Sequence, residues 1–169
     1  MTTLYIFSGL PGAGKSTLAA GLSKHIKASY LRVDTIEQSL KELYQQDVYA
    51  HGYHLAYRLA SDNLRQGLNV VADSCNSVLQ SREEWQQVAL EENAAFINIE
   101  VCCSALNEHK FRVENREPSV EGLILPSWKN VTNRLFEPWH SDVITLDTAG
   151  ESAQQSIARL IKLLGLPHN

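Results

Sequence analysis

Hydrophobic positions along the chain switch between two periods. Short apolar runs at 4–8, 30–33, 68–72, 95–102 and 143–146 are too brief for helices and predict five strands, the third ending at Asp73. Stretches of helical period separate them. Helices are expected over 16–26, with Leu18, Ala19 and Leu22 inward, and over 35–45 and 53–65, the latter ended by Gln66-Gly67. A helix over 82–92 is expected to start at a capping box of Ser81 with Glu84. A last helix over 152–164 stops before Gly165 and Pro167. Alternating strands and helices predict an α/β fold, a parallel sheet covered by helices on both faces. Between the fourth and fifth strands lie about 40 residues rich in Arg, Glu, Trp and Pro, longer than an ordinary connection. This segment, approximately 104–140, is expected to form a helical lid on a single domain spanning 1–169, with Pro126, Trp128 and Trp139 packing it against the body.

Composition changes this picture little. A chain of 169 residues suffices for one well-buried domain, and 44% apolar with 20% charged residues is ordinary for a globular protein. The net charge of −4 gives no electrostatic reason to expect duplex nucleic acid as a partner. The apolar start lacks a basic leader and stops at Gly9, and no run approaches the ~20 residues of a membrane span. Cys75, Cys102 and Cys103 are odd in number and lack zinc-site spacing, which reads as buried free thiols in a reducing compartment. A cytoplasmic protein is expected.

The chemistry is carried by Gly9-Leu10-Pro11-Gly12-Ala13-Gly14-Lys15-Ser16, followed by Thr17, which matches G-x-x-x-x-G-K-[ST] in full. Its glycines let successive backbone N–H groups point into one concavity, and the helix that follows adds its positive dipole end. Lys15 is expected to reach the β- and γ-phosphates of a nucleotide, and the Ser16 hydroxyl to ligate Mg²⁺. No His, Cys or Asp cluster has metal spacing, so Mg²⁺ arriving with ATP is the metal expected.

Other positions choose among phosphate chemistries. Asp147-Thr148-Ala149-Gly150 spells D-x-x-G, but after the last strand and without an N-K-x-D partner, so it reads as a strand-to-helix turn near the nucleotide base. Asp73 ends the third strand at the carboxyl edge of the sheet, where open α/β sheets bind ligands; it could orient substrate, hold Mg²⁺ through water, or be a turn residue. Asp34 ends the second strand at the same edge. It is placed to accept or orient an acceptor hydroxyl, or to cap the next helix with Glu37 as partner. Arg112 and Arg116 stand four apart, hence on one helical face, as clamps on a transferring phosphoryl group or as a salt-bridged face with Glu108, Glu114 and Glu117. Arg134 is a third candidate. Tyr53 and Tyr57 have core spacing, His51, His54 and Arg58 read as surface residues or pocket lining, and His109 has no acidic partner the sequence assigns.

Residues 9–17, Leu31-Arg32-Val33-Asp34, Val71-Ala72-Asp73-Ser74-Cys75-Asn76 and 112–116 together resemble a known group. It comprises predicted small P-loop kinases related to gluconate kinase, chloramphenicol phosphotransferase and the kinase domain of polynucleotide kinase; many members are known as AAA-family ATP-binding proteins. The resemblance spans nearly the whole chain. It implies an adenylate-kinase-like sheet of five parallel strands ordered 2-3-1-4-5, with ATP and Mg²⁺ as cofactors. It also implies a catalytic or substrate-orienting Asp34, a substrate segment at Asp73 and Asn76, and lid arginines at Arg112 and Arg116. The chain departs from the group by one extra residue between Asp73 and Asn76 and by the stretch 122–128. The expected function is transfer of the γ-phosphate of ATP to a hydroxyl of a small-molecule or nucleotide-like acceptor. The rival is an ATP-hydrolysing switch acting on a protein partner.

Overall fold

The computed structural model describes residues 1–47 and 50–167. Five strands, β1 Thr3–Ser8, β2 Ser29–Arg32, β3 Val70–Asp73, β4 Ala95–Cys102 and β5 Ile144–Asp147, form one parallel sheet in the order β2-β3-β1-β4-β5, as the resemblance implied. Among the described residues seven helices surround it: α1 Lys15–Ile26, α2 Val33–Tyr44, α3 His51–Arg65, α4 Leu79–Glu91, α5 Leu106–Asn115, α6 Trp128–Thr132 and α7 Ala153–Leu163.

The sheet buries both faces because apolar residues occupy both sides of its central strands β1 and β3, so alternate side chains enter opposite cores. Leu4, Ile6, Val70 and Ala72 join Ala56, Tyr57 and Leu64 of α3 and Trp85 and Ala89 of α4. Tyr5, Phe7, Val71, Ile99, Val101 and Leu146 join Leu18 and Leu22 of α1 and Leu160 of α7. Tyr57 meets Trp85 edge to face at 4.6 Å, so the tyrosines of α3 are core and its His51, His54 and Arg58 lie exposed on the outer side.

Three local expectations change. α4 begins at Leu79, three residues early, and Ser81 donates to Val78 O from inside the first turn, so Ser81 and Glu84 form no capping box. A reciprocal box stands instead at α7, between Ser152 and Gln155. Helix α5 ends at Asn115, and Arg116 is extended at φ −76° and ψ 146°, so Arg112 and Arg116 do not share a helical face. The three cysteines are free, but only Cys103 is buried.

Segment 104–140 contains α5 and α6 joined by irregular chain. Its return is fastened by Arg82. That fully buried guanidinium lies over the rings of Phe136 and Trp139, at 4.9 and 4.3 Å, and donates to Glu137 O, Pro138 O and Asn76 O. At the other end of the segment, His109 Nε2 lies 2.9 Å from Pro11 O and its ring meets Trp128 edge to face at 5.2 Å.

Candidate active site

The register of the sheet lines up the chemistry. Arg32 pairs with Asp73 and Asp73 with Phe7, so β2, β3 and β1 end side by side at the carboxyl edge, two residues before the loop from Gly9. That loop turns tightly, with Gly12 at φ 84° and Gly14 at φ 97°. It is also packed from beneath and above. A Cβ on Gly9 would sit 2.2 Å from Val101 O, and one on Gly12 would sit 2.5 Å from Val113 Cγ2 of α5. The Thr148 hydroxyl donates to Ala13 O at 2.8 Å, making the D-x-x-G turn the floor of the loop. The turn itself is closed by Asp147, which accepts from the Ser104 and Ala149 N–H groups.

Asp73 is no exposed turn residue: it is 1% exposed. Lys15 Nζ donates to its Oδ1 at 2.9 Å and Tyr30 OH to its Oδ2 at 2.7 Å. Burial pushes the Asp73 pKa up, but Lys15, Tyr30 and the Ser16 hydroxyl outweigh it, so the carboxyl is held below the ordinary range. Burial likewise works against the Lys15 charge, but Asp73, helped by Asp34, raises its pKa above the ordinary value. The result is a buried ion pair poised where a β,γ-phosphate would arrive. Ser16 and Asp73 bring a hydroxyl and a carboxylate together, hard oxygen donors that fit Mg²⁺ when phosphate and water complete its shell. Among the described residues no three His, Cys, Asp or Glu side chains cluster in a way that would hold a metal alone.

The loop opens into a cavity of about 650 Å³, within the usual range of small-molecule sites. Gly12, Gly14, Lys15, Ser16 and Thr17 line its middle. Toward β5 it is lined by Arg112, Thr148, Glu151 and Ser156, and toward β2 by Arg32, Asp34, Glu37 and Cys75. Asp34 lies in the first turn of α2 after Arg32, whose side chain makes no cap, so neither Asp34 nor Glu37 is engaged in capping. Asp34 Oδ2 is 4.0 Å from Arg32 NH2. Glu37, one turn on, is raised to about 7 by burial first and by Asp34 second, with Arg134 opposing.

Arg112 and Arg116 divide between these ends. Arg112 donates to the Thr148 hydroxyl at 2.8 Å and to Thr148 O at 3.0 Å, and pairs with Glu108. Arg116 lines the β2 end, where burial lowers its pKa against the pull of the Asp34 carboxylate. Asn76 lies apart. Its side chain is wholly buried and donates to Phe7 O at 2.7 Å, fixing a left-handed bend at φ 44° instead of lining the cavity. His51, His54 and Arg58 do not reach the cavity either, whereas Arg134 does. Local sequence pattern assigns no site role of their own to Tyr30, Arg32 and Thr148. Arg32 and Tyr30 could have been found from their place at or near the end of a strand beside Asp73. Thr148 gave no signal except its position in the D-x-x-G turn.

Comparison with known proteins agrees with this architecture. The AAA domain family matches residues 4–135, and no curated protein sequence matches the chain. Among solved structures, a sugar kinase from Janibacter superposes with a TM-score of 0.69 at 14% identity, covering 99% of this chain and 100% of that one. The APS kinase of Mycobacterium tuberculosis, in complex with AMPPNP and APS, gives 0.67 at 15% identity, with 97% and 98% covered. Kti12 of Chaetomium thermophilum, in complex with ADP-AlF3, gives 0.70 at 20% identity, with 98% and 100% covered. At these identities the likeness is one of fold. With its phosphate loop, its 2-3-1-4-5 sheet and a family match over most of its length, the chain belongs to the AAA domain family and has the fold of small P-loop kinases.

Proposed function

We propose that this protein is an ATP-dependent phosphotransferase acting on a hydroxyl of a small-molecule or nucleotide-like acceptor. The observation that carries the reading is the single cavity that joins the phosphate loop to Asp34, so donor and acceptor share one space. The nucleotide lies with its phosphates on residues 9–17 and its base toward Thr148, Glu151 and Ser156. Arg112, held by Thr148, flanks it from the lid, which comprises approximately residues 104–140. Mg²⁺ bound at Ser16 and Asp73 would neutralise phosphate charge.

At the β2 end Asp34 orients the acceptor hydroxyl and takes its proton. The hydroxyl oxygen then forms a bond to the γ-phosphorus as the bond to the β,γ-bridging oxygen breaks. That electron pair leaves on the β-phosphate of ADP. Lys15 and Arg116 neutralise the charge that spreads over the transferring group, the larger part of catalysis in this class.

A screen of sugars, nucleosides, antibiotics and nucleic-acid 5′ ends for label transfer from γ-³²P-ATP identifies the acceptor. On that acceptor, Asp34→Asn is expected to lower kcat by about a hundredfold or more while ATP affinity stays within about twofold. A variant that keeps most of its turnover removes Asp34 from the mechanism. Steady ATP hydrolysis that no acceptor stimulates favours a nucleotide switch instead.

A further inference from the structure

The β2 end of the cavity holds more guanidinium than the transfer step uses. Arg32, Arg116 and Arg134 all line it. The Nε atoms of Arg32 and Arg116 are buried without a hydrogen-bond partner. Arg32 approaches Asp73 and Asp34 only at 3.9 and 4.0 Å, beyond hydrogen-bond reach. Arg134 forms no ion pair among the described residues, although Glu37 and Cys75 feel its charge. The neighbouring lid carboxylate, Glu117, is exposed and pairs with none of the three among the described residues. Buried unsatisfied donors are costly, and guanidinium forks match the oxygens of carboxylate and phosphate.

Position sets Arg32 and Arg134 toward the edge of the sheet, Arg32 between Asp73 and Asp34 and Arg134 beside Glu37. β1 with its loop is central in the sheet, whereas β2 is at the edge, and Glu37 lies one turn further along α2 than Asp34. Arg32 and Arg134 therefore flank Asp34 on the side away from the nucleotide's base end, Arg134 reaching in from the lid.

We infer that the acceptor carries an oxyanion in addition to the hydroxyl that reacts, and that Arg32 and Arg134 hold this group while Asp34 addresses the hydroxyl. The inference rests on the phosphotransferase reading above and narrows its substrate to polyols or nucleosides bearing a carboxylate or a phosphate. Near neutral pH Glu37 is partly protonated, which leaves Arg134 freer for such a ligand.

The test uses the full chain saturated with Mg²⁺ and AMPPNP, so that the γ-phosphate position is filled and a further anion must bind elsewhere. Calorimetry compares glycerate, glycerol 3-phosphate and ribose 5-phosphate with glycerol and ribose. The anionic probes are expected to bind at one site and the neutral ones not. The carboxylate and phosphate arms tell which oxyanion is preferred. Arg134→Met should weaken the anionic probes by about tenfold or more, as loss of a charged hydrogen bond implies, and leave AMPPNP affinity unchanged. Lys129→Met, an exposed lid lysine outside the cavity lining, should change neither.

Anionic probes that bind no better than neutral ones, or equally well to Arg134→Met, overturn the inference. So does a neutral acceptor phosphorylated with unchanged kcat/KM by Arg134→Met, and phosphotransfer then survives. Selective anion binding with no label transfer to any acceptor leaves the oxyanion site in place and removes the phosphotransferase reading alone.

Discussion

A buried ion pair is weak support for a fold by itself, because desolvation consumes most of the Coulombic gain. Lys15 and Asp73 are 7% and 1% exposed, so each depends on the other to remain charged. Lys15→Met is expected to cost about 3–5 kcal/mol, mainly by stranding the Asp73 charge. Urea unfolding checks this, and adding Asp73→Asn should recover a large part of the loss, since the neutral amide no longer needs the ammonium. A double variant as unstable as the single one would show that Lys15 matters through packing alone. The same pair explains why the phosphate loop holds its lysine in place before any nucleotide arrives. Asp73 was legible as a carboxylate at a strand end. Its grip on Lys15 was not, because that contact joins the start of α1 to the end of β3, 58 residues apart in the chain, and depends on how the two elements cross.

Between elements, Arg82 matters most. Three carbonyl acceptors and two aromatic rings converge on it, tying α4 to the bend at Asn76 and to the chain at 136–139. Glu137 completes the fastening, its N–H donating to Ser77 O at 2.8 Å and its carboxylate accepting from Leu79 N. Arg82→Met keeps the aliphatic stem but orphans the carbonyls, which should cost about 2–4 kcal/mol. Hydrogen exchange should then speed up at 136–139 and at 74–77 together; acceleration at one segment only would mean that Arg82 does not couple them. Periodicity placed α4 but mistook its start. Ser81 and Glu84 have capping-box spacing, yet the helix continues upstream to Leu79, whose N–H finds Glu137, 58 residues away in the chain. A long-range carboxylate therefore does the work that a local cap was expected to do.

Across the whole molecule, charge and burial make stability depend on pH. Glu37 is raised from the ordinary 4.5 to about 7 in the folded state, so folding takes up a proton between those values. The folded chain then binds more protons than the unfolded one, and this group's contribution falls as pH rises from about 4.5 to about 7. Asp73 has the opposite sign: its folded pKa is depressed, so its contribution is present at neutral pH and is lost on acidification. Glu37→Gln is expected to be more stable than the parent at pH 8 and no more stable at pH 4.5, as thermal melts across that range would read. A constant difference across the range would show that Glu37 does not titrate in this window.

The glycine-rich loop, the alternation of strands and helices, and carboxylates at strand ends were all fixed by local pattern, because each needs only neighbours in sequence. They were enough to place a phosphate site at the carboxyl edge of a parallel sheet. Tertiary structure decided what spacing could not. Helix α5 stops at Asn115, which separates Arg112 from Arg116 and sends them to opposite ends of one cavity. Asn76, in line with the others by sequence, turns inward to Phe7 O. Arg134, some twenty residues beyond Arg116, comes round to face Glu37. Whether a side chain holds the loop or faces a ligand is set by where distant elements cross, and no periodicity in the chain records that.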